Sequence, residues 1–279
     1  MDVYYVDGEF VDAADACIPV NDLAVLRGYG VFDFLRTYRG KPFHLEEHVE
    51  RLENSARRIG LTLPWAAAEI IRIVHETLRR NRHEESGIRI VATGGASTDF
   101  LTPQGKPRLL VMVTPLAAPP DSWYSAGVKI ITFHFDRLIT DAKSINYLAA
   151  TMALEEARRC QAVEAVYVDR ENRVQEGTTS NLFLFRDGML ITPGKGILSG
   201  ITRRVTLEIA ETLFPIDIRD LNKEELMDAE EVFITGTSKG VVPVVKVDEN
   251  VIGSGSPGPN TRRLMEAFRR YTERYADAH

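Results

Sequence analysis

The sequence predicts a mixed α/β protein of two units, not one doubly wound parallel sheet. Its 279 residues exceed the usual length of a single small domain. Strands, tight hairpins and helical segments occur in both halves of the chain, which favours two mixed α/β units. A stiff proline-rich stretch at 115–121 interrupts this pattern. We therefore expect a smaller N-terminal domain at 1–115, a linker at 116–122 and a larger C-terminal domain at 123–279.

The elements of the first half are predicted from periodicity and turn signals. Residues 3–11 are expected to form a hairpin, because Asp7-Gly8 supplies the positive φ angles of a tight turn between two β-rich runs. The apolar run 31–38 is a further strand. Apolar residues at steps of three and four predict helices over 45–59 and 66–81. The segments 87–93 and 109–115 are expected to pair as strands.

The second half shows the same mixture of elements. It begins with a predicted strand at 128–135 and a helix at 147–160. Two hairpins follow at 162–175 and 181–192, the second turning at Asp187-Gly188. The remaining predictions are a helix at 201–213, a strand at 231–235 and a C-terminal helix at 260–275.

Composition and charge exclude several classes of protein. The 34 basic and 40 acidic residues leave a net charge of −6, without the basic footprint of nucleic-acid or membrane-surface binding. The two cysteines are too few for a disulfide framework. No apolar run approaches the roughly 20 residues that span a bilayer, and no signal peptide is visible at the N-terminus. We expect a cytoplasmic globular enzyme with no nucleic-acid or membrane partner.

Two residues stand out as candidates for chemistry. Lys143 precedes a predicted helix capped by Ser144 or Asn146, and a helix N-terminus disfavours a nearby cation. This position would favour the neutral amine that forms Schiff bases, although a solvated surface lysine is the ordinary alternative. Glu176 precedes a small hydroxyl-rich turn and an apolar strand. Its carboxylate could face a cleft or belong to a surface hairpin.

Two further segments could bind an anion. The helix start at Ile201-Thr202 follows a glycine-containing loop, and free N–H groups of a first helical turn can bind phosphate. The turn Gly236-Thr237-Ser238 can present N–H and hydroxyl groups in the same way. An ordinary helix start and an ordinary turn are the alternatives. Neither segment matches a nucleotide-binding fingerprint.

A zinc pattern also occurs in the chain. His44 and His48, with Glu47 between them, match a His-x-x-Glu-His arrangement and would share one helix face. A zinc site needs a third ligand, and the other histidines are scattered through the sequence. We therefore predict no metal, and a polar helix start explains the pattern equally well.

The lysine, the carboxylate and the two anion signals together describe a binding site for pyridoxal 5'-phosphate (PLP). Over essentially its whole length the chain resembles the class IV (fold-type IV) PLP-dependent aminotransferases. These include D-amino-acid and branched-chain aminotransferases, with aminodeoxychorismate lyase as a relative. The resemblance rests on several motifs in one order, namely Tyr5-Val-Asp-Gly8, Arg27-Gly-Tyr-Gly-Val-Phe32, His48-Val-Glu-Arg51, Lys143-Ser-Ile-Asn146, Glu176-Gly-Thr-Thr-Ser-Asn181, Ile197-Leu-Ser-Gly-Ile-Thr-Arg203 and Gly236-Thr-Ser238.

The resemblance implies a role for individual residues. Lys143 matches the Schiff-base lysine, and Glu176 matches the carboxylate that binds the pyridine nitrogen. Tyr147 resembles, with an offset of one residue, the tyrosine that bonds the phenolic oxygen of the cofactor. The other matches are a phosphate-binding arginine, a leucine packed on the ring and a phosphate cup with two walls, at Arg51, Leu198, Ile201, Thr202 and Thr237.

The family fold consists of a small N-terminal α/β domain and a larger C-terminal pseudo-barrel domain. The resemblance also implies at least a homodimer, in which residues of a second subunit complete each active site. The expected reaction moves an amino group between an amino acid and a 2-oxo acid by a ping-pong mechanism.

The substrate is the least constrained part of the prediction. The motifs at Lys143 and Glu176 lie nearer to D-amino-acid enzymes, so we favour D-amino acids over branched-chain L-amino acids. However, the segment 93–96 lacks the Arg-x-His carboxylate trap of D-alanine enzymes. Carboxylate binding is therefore assigned to Arg27 or Arg89, or otherwise to the backbone at Thr237-Ser238, and an apolar wall to Phe32 and Phe34.

Three other functions stay open at this point. An aminodeoxychorismate-type lyase would share the cofactor but lack the second half-reaction. A metallohydrolase would use His44, Glu47 and His48. A non-catalytic PLP-binding protein would be coloured but inert towards amino acids.

Overall fold

The computed structural model describes residues 2–278, which divide into two compact units. The first unit comprises residues 2–117, 141–147 and 275–278. The second comprises residues 118–140 and 148–274. The short segment that carries Lys143 therefore belongs to the first unit, although it follows the proline-rich stretch at 115–121 in the chain.

A six-stranded antiparallel sheet forms the first unit, in the order β2-β1-β6-β5-β3-β4. Three helices accompany it: α1 (Leu23–Arg27), α2 (Leu45–Arg58) and α3 (Ala67–Arg80). The strands are β1 (Val3–Val6), β2 (Glu9–Asp12), β3 (Gly30–Tyr38), β4 (Lys41–Pro42), β5 (Ser86–Thr93) and β6 (Arg108–Pro115).

The core of the first unit lies on one face of this sheet. Side chains alternate along a strand, so Val31 and Leu35 of β3 point to the face that packs against α2 and α3. Residues of both helices, such as Val49 and Ile70, complete the same core. Phe32 and Phe34 lie on the opposite face of β3, which makes them available to a site.

The second unit contains a ten-stranded mixed sheet, in the order β12-β11-β10-β14-β15-β7-β8-β9-β13, with β16 beside β15. Its pairs β11–β12, β15–β7 and β7–β8 are parallel, and the others are antiparallel. The strands are β7 (Val128–His134), β8 (Glu164–Val168), β9 (Arg173–Gly177), β10 (Asn181–Arg186), β11 (Met189–Pro193), β12 (Ile216–Arg219), β13 (Leu221–Asn222), β14 (Glu231–Gly236), β15 (Gly240–Val247) and β16 (Asn250–Val251).

The remaining helices are α4 (Ser122–Ser125), α5 (Leu148–Arg159), α6 (Ile201–Ala210), α7 (Lys223–Met227) and the C-terminal α8 (Pro259–Ala278). The predicted mixed α/β class is confirmed. The predicted helix cap at Ser144 or Asn146 is wrong, because α5 begins only at Leu148. No helix within residues 2–278 has both the length and the apolarity needed to cross a membrane.

Candidate active site

Strand pairing positions Lys143. Its carbonyl accepts a hydrogen bond from the Phe32 N–H (2.9 Å), and the Ile145 N–H donates to Gly30 O (3.0 Å). The Lys143 N–H donates to the buried Ser55 Oγ of α2 (3.1 Å). The segment 143–145 thus runs as a short antiparallel addition to β3. From the sequence we expected a helix N-terminus to determine the surroundings of Lys143. The hydrogen bonds to β3 and to Ser55 determine them instead.

The Lys143 side chain lies against two aromatic residues. Its Nζ is 4.7 Å from the ring centroid of Phe32 and 3.5 Å from the Tyr147 hydroxyl. The two rings meet edge to face, with centroids 5.2 Å apart. The structure therefore brings together three of the residues singled out from the sequence, and it places a half-buried amine beside a phenol.

Arg51 is held by a buried carboxylate. Asp33 of β3 accepts hydrogen bonds from Arg51 Nε and Nη2, both at 2.8 Å, and its Oδ1 lies 2.6 Å from His48 Nδ1. Burial raises the pKa of the Asp33 carboxyl, but the positive charge of Arg51 and the contact with His48 lower it by more than burial raises it. The net pKa is therefore well below its usual range. Burial lowers the pKa of His48. Neither Asp33 nor the role of His48 was identified from the sequence.

The two histidines of the predicted zinc pattern contact different carboxylates in the structure. His48 is buried against Asp33, whereas His44 lies 3.0 Å from Glu47. Within residues 2–278, no group of three His, Cys, Asp or Glu side chains is arranged to hold a metal ion.

Two arginines were assigned to the substrate carboxylate. Arg89 of β5 lies opposite Phe34 of β3, and its guanidinium carbon is 5.2 Å from the ring centroids of both Phe32 and Phe34. The structure thus groups Arg89 with both aromatic candidates. Arg27 is exposed, and its guanidinium donates to the neighbouring carbonyl of Leu26 (2.7 Å).

Glu176 lies buried in β9 of the second unit. Its Oε1 is 2.6 Å from Arg137 Nη1, and its Oε2 accepts a hydrogen bond from Asn181 Nδ2 (2.8 Å). Asn181 also donates to Leu198 O (3.0 Å), and Arg137 donates to Gly196 O (2.7 Å). The carboxylate and the loop that precedes α6 are therefore fixed by the same two side chains.

Sequence reasoning missed Arg137 and did not assign a role to Asn181. Asn181 ends the motif that begins at Glu176, so its place in that motif was a usable signal. Arg137 is distant from Glu176 in the chain, and no local pattern marks it.

The close approach of position 200 to Asn181 requires a glycine, because an added Cβ would collide with Asn181 Oδ1.

Helix α6 begins without a capping side chain among the described residues. Its N-cap, Gly200, offers no side chain to the first turn, and no cap hydrogen bond from a side chain occurs among the described residues. Ile201 and Thr202, the two residues of the predicted phosphate cup, occupy this turn and are both buried. The half-buried Leu198 lies in the loop just before the turn.

Unused polar groups lie near the same helix. Thr235 pairs with Asn181 across β14 and β10, and Thr235 Oγ1 is buried without a hydrogen-bond partner among residues 2–278. The same holds for Arg203 Nε in α6. Unpaired buried donors are rare in native proteins. Together with the open first turn of α6 they fit an anionic group such as the phosphate of PLP.

Thr237 and Ser238 lie in the turn that follows β14, and both are half-buried. The Lys239 N–H closes this turn by donating to Gly236 O (3.1 Å). The structure thus forms the two segments as a helix start and a turn, and their binding of an anion stays a prediction.

Comparison with known proteins agrees with these features. Residues 30–247 match the family model of class IV amino-transferases. A putative branched-chain-amino-acid aminotransferase of Methanocaldococcus jannaschii is 37% identical over 275 residues, covering 95% of this chain and 94% of the relative. A D-alanine aminotransferase of Staphylococcus haemolyticus is 36% identical over 276 residues, covering 96% and 97%.

Solved structures show the same fold. The branched-chain amino acid aminotransferase of Escherichia coli superposes with a TM-score of 0.91 at 28% identity, covering 96% of this chain and 94% of that one. A second branched-chain enzyme, solved with pyridoxamine 5'-phosphate, gives a TM-score of 0.90 at 31% identity, covering 97% and 94%. The branched-chain enzyme of the archaeon Thermoproteus uzoniensis, solved with norvaline, gives 0.89 at 32% identity, covering 97% and 94%. The chain described here belongs to the class IV aminotransferase family and has the fold-type IV architecture.

Proposed function

We propose that this aminotransferase uses PLP bound to Lys143 and transfers amino groups from D-amino acids to 2-oxo acids by a ping-pong mechanism. The observation that carries the proposal is the half-buried amine of Lys143, which lies on the Phe32 ring beside the Tyr147 hydroxyl. The D-alanine aminotransferase of S. haemolyticus, similar over 96% of this chain, supports the choice of D-amino acids.

Lys143 has two tasks in this mechanism. Its Nζ would hold the aldehyde carbon of the cofactor as an imine, with loss of water, and as a free amine it would take the proton from the α-carbon of the substrate. When bound, PLP supplies an electron sink for the charge left on that carbon. Phe32 shields one side of the amine from water. Tyr147, 3.5 Å from Nζ, restricts the directions in which the amine can move a proton.

Glu176 is the proposed acceptor for the N–H of the pyridine ring. A carboxylate next to that nitrogen favours its protonated form. Arg137 and Asn181 hold the carboxylate in one orientation. We assign ring packing to Leu198 and phosphate binding to the remaining predicted residues, which are Arg51, Ile201, Thr202 and Thr237.

The substrate carboxylate is assigned first to Arg89. A guanidinium between two aromatic rings can form two parallel hydrogen bonds to a carboxylate, while Phe32 and Phe34 leave an apolar surface for a side chain. Arg27 is the second candidate, and the backbone near Ser238 is the third.

Branched-chain L-amino acids are the second candidate substrates. The apolar surroundings of Arg89 favour them, as does the similarity to the M. jannaschii protein and to solved structures named as branched-chain enzymes. An aminodeoxychorismate-type lyase is the third candidate, and it would show no second half-reaction.

We also propose a homodimer in which the second subunit completes each active site. The exposed large apolar side chains of the second unit include Leu138 (96%), Leu148 (70%) and Met152 (58%). Leu148 and Met152 are four residues apart in α5 and so lie on one helix face. A second copy of the chain would bury such a face.

The substrate is tested by mixing the PLP-loaded protein separately with D-alanine, D-glutamate and L-leucine. We expect the visible band of the bound cofactor to decay with the D-amino acids, with release of the matching 2-oxo acid. Decay with L-leucine alone would contradict the D-preference and favour the second candidate. No decay with any amino acid would contradict the proposed transamination.

The cofactor assignment is tested with a pair of lysine variants. Lys143→Ala should lose the visible band and turnover, because the attaching amine is removed. Lys106→Ala, which alters an exposed lysine on a loop, should keep both. Full activity in Lys143→Ala would refute the assignment.

A further inference from the structure

We propose that Lys239 and Glu164, a buried ion pair that the mechanism above does not use, are positioning residues that hold the turn containing Thr237 and Ser238 in the form that binds the cofactor phosphate. The inference rests on the proposed function, because it concerns the phosphate of the same cofactor. Both residues and all their contacts belong to the second unit.

Glu164, the first residue of β8, is completely buried. Its carboxylate accepts hydrogen bonds from three consecutive residues of the turn after Glu176. The donors are the N–H groups of Thr178 (3.1 Å) and Thr179 (3.2 Å) and the hydroxyls of Thr178, Thr179 (2.7 Å) and Ser180 (3.0 Å). One carboxylate thus determines the conformation of residues 178–180.

Lys239 connects this carboxylate to the second turn. Only 9% of the residue is exposed, and its Nζ lies 3.2 Å from Glu164 Oε2 and 2.9 Å from Thr179 Oγ1. Its backbone N–H donates to Gly236 O (3.1 Å), and its carbonyl accepts from the Tyr124 hydroxyl (2.9 Å). The same residue therefore closes the 236–239 turn and anchors it through its side chain.

Gly236 leaves room for this arrangement. A Cβ at position 236 would lie 3.0 Å from Thr179 O and 3.3 Å from Lys239 Cε. These distances are tighter than ordinary van der Waals contact, so the stem of the lysine packs closely against the glycine. The two turns approach each other here, and the lysine fills the space between them.

The positive charge of Lys239 compensates the negative charge of the buried Glu164 carboxylate. Burial raises the pKa of the Glu164 carboxyl, but Lys239 and the hydroxyl donors outweigh burial, and the net pKa is lowered. Removing one partner of a buried ion pair leaves an uncompensated charge in a site of low polarity. The turn 178–180 would then lose a donor, and the turn that contains Thr237 would lose its anchor.

The position of the pair connects it to the proposed site. The residues that Glu164 holds lie in the chain between Glu176 and Asn181, which are themselves hydrogen-bonded. The residues that Lys239 anchors include Thr237, the proposed wall of the phosphate cup. Loss of the lysine charge should therefore weaken phosphate recognition more than recognition of the pyridine ring.

Two ligands separate recognition of the phosphate from recognition of the pyridine ring. PLP and pyridoxal share the ring and the aldehyde, and only PLP carries the phosphate. Dissociation constants of both are measured on the full-length apoprotein from the visible band, for the parent, Lys239→Met and Lys239→Arg. Methionine keeps an unbranched stem without the charge, and arginine keeps the charge.

We expect Lys239→Met to weaken PLP binding by about tenfold or more, to change pyridoxal binding far less, and Lys239→Arg to recover most of the loss. An equal loss for both ligands, or none for PLP, would overturn the inference and leave the proposed function intact. A parent protein that does not bind PLP would overturn the proposed function and this inference with it.

A second variant covers a failure of Lys239→Met to fold. The double variant Lys239→Met/Glu164→Gln leaves neither buried charge unpaired, so it should fold more readily. We expect the same selective loss of PLP binding in it, because the anchor of the turn is still missing. Binding of PLP at the parent's strength by the double variant would contradict the positioning role.

Discussion

Asp33 illustrates how one buried residue determines the geometry of a neighbouring arginine. Its two carboxylate oxygens bind Arg51 through two nitrogens of the guanidinium, and His48 completes the cluster. A forked guanidinium that is held at both prongs has few orientations left. Arg51 is therefore held in one orientation, so in the proposed site it would not have to become ordered when the phosphate binds.

Asp33→Asn should destabilise the protein and weaken PLP binding. The amide retains the shape of the side chain but leaves the charge of Arg51 uncompensated, which costs about 3–5 kcal/mol for a buried pair. The free energy of unfolding in urea measures this loss. Asp141→Asn, which breaks an exposed pair with Arg58, is the control and should cost about 1 kcal/mol or less. An equal, small loss in both variants would refute the argument.

His48 gives the protein a defined response to acid. Burial lowers the pKa of its imidazole from 6.5, so below about pH 6.5 the unfolded chain binds more protons than the folded one. The free energy of unfolding should therefore fall as the pH decreases from about 7 to about 5. His48→Asn should reduce this slope. A free energy of unfolding that rises on acidification over this range would contradict a lowered pKa of His48.

The lowered pKa of Asp33 acts in more acidic solution. A carboxyl with a depressed pKa stabilises the fold above its unfolded pKa, and the contribution is lost as the pH falls through the folded pKa. The two residues therefore act in successive windows, His48 first and Asp33 below about pH 4.

The candidate site residues could be predicted from the sequence more readily than the side chains that bind them. Lys143, Glu176 and Arg51 belong to local motifs that the sequence displays directly. Arg137 and Asp33 bind two of them, yet each lies on a different element from its partner. Such contacts depend on how elements pack, and no spacing along the chain encodes them.

Among the elements, the segment 143–145 departs most from expectation. A lysine just before a helix suggested control by the helix N-terminus, but hydrogen bonds to β3 hold the segment and α5 begins later. The sequence of this segment has no strand-like alternation. A partner strand already ordered by its own sheet can hold a short stretch that has weak intrinsic preference.

Helix α6 depends on the absence of a side chain at its N-cap. Gly200→Ala should weaken PLP binding by about tenfold or more, because the added Cβ collides with Asn181 and shifts the first turn of the helix. The backbone angles at position 200 are themselves suitable for alanine, so strain is not the cause. Titration of the apoprotein with PLP measures the effect.

Gly194→Ala is the matched control for this variant. It lies in the same loop, and its added Cβ would come closest to the side chain of Ile218, at 3.1 Å. Ile218 is half exposed and can move aside. PLP binding close to the parent value is expected. Equal weakening by both substitutions would show that the loop tolerates no added volume, and the specific contact with Asn181 would lose its support.

For the whole molecule, hairpins were predictable and distant strand pairs were not. Asp7-Gly8 and Asp187-Gly188 both adopt positive φ angles and close hairpins, as their sequences indicate. Strand β15 was not predicted. Pro243 lies in its middle, and proline is unusual in a central strand. The strand nevertheless lies between β14 and β7. Its place follows from pairing with strands distant in the chain.

The proposed dimer predicts a mass of twice 31.3 kDa for the protein in solution. Leu148→Glu should shift the mass towards the monomer, because a charge would enter an apolar interface on both subunits. Light scattering coupled to size exclusion measures this. Val251→Glu, at an exposed position of β16, should leave the mass unchanged. A parent protein of 31.3 kDa would contradict the dimer.

The proposed covalent attachment of the cofactor to Lys143 can be tested directly. Sodium borohydride converts a lysine-bound PLP into a stable pyridoxyl group, and mass spectrometry of the digested protein locates it. We expect the added mass on the peptide that contains Lys143 and on no other lysine peptide. A pyridoxyl group on a different lysine, or none at all in PLP-loaded protein, would show that Lys143 does not hold the cofactor.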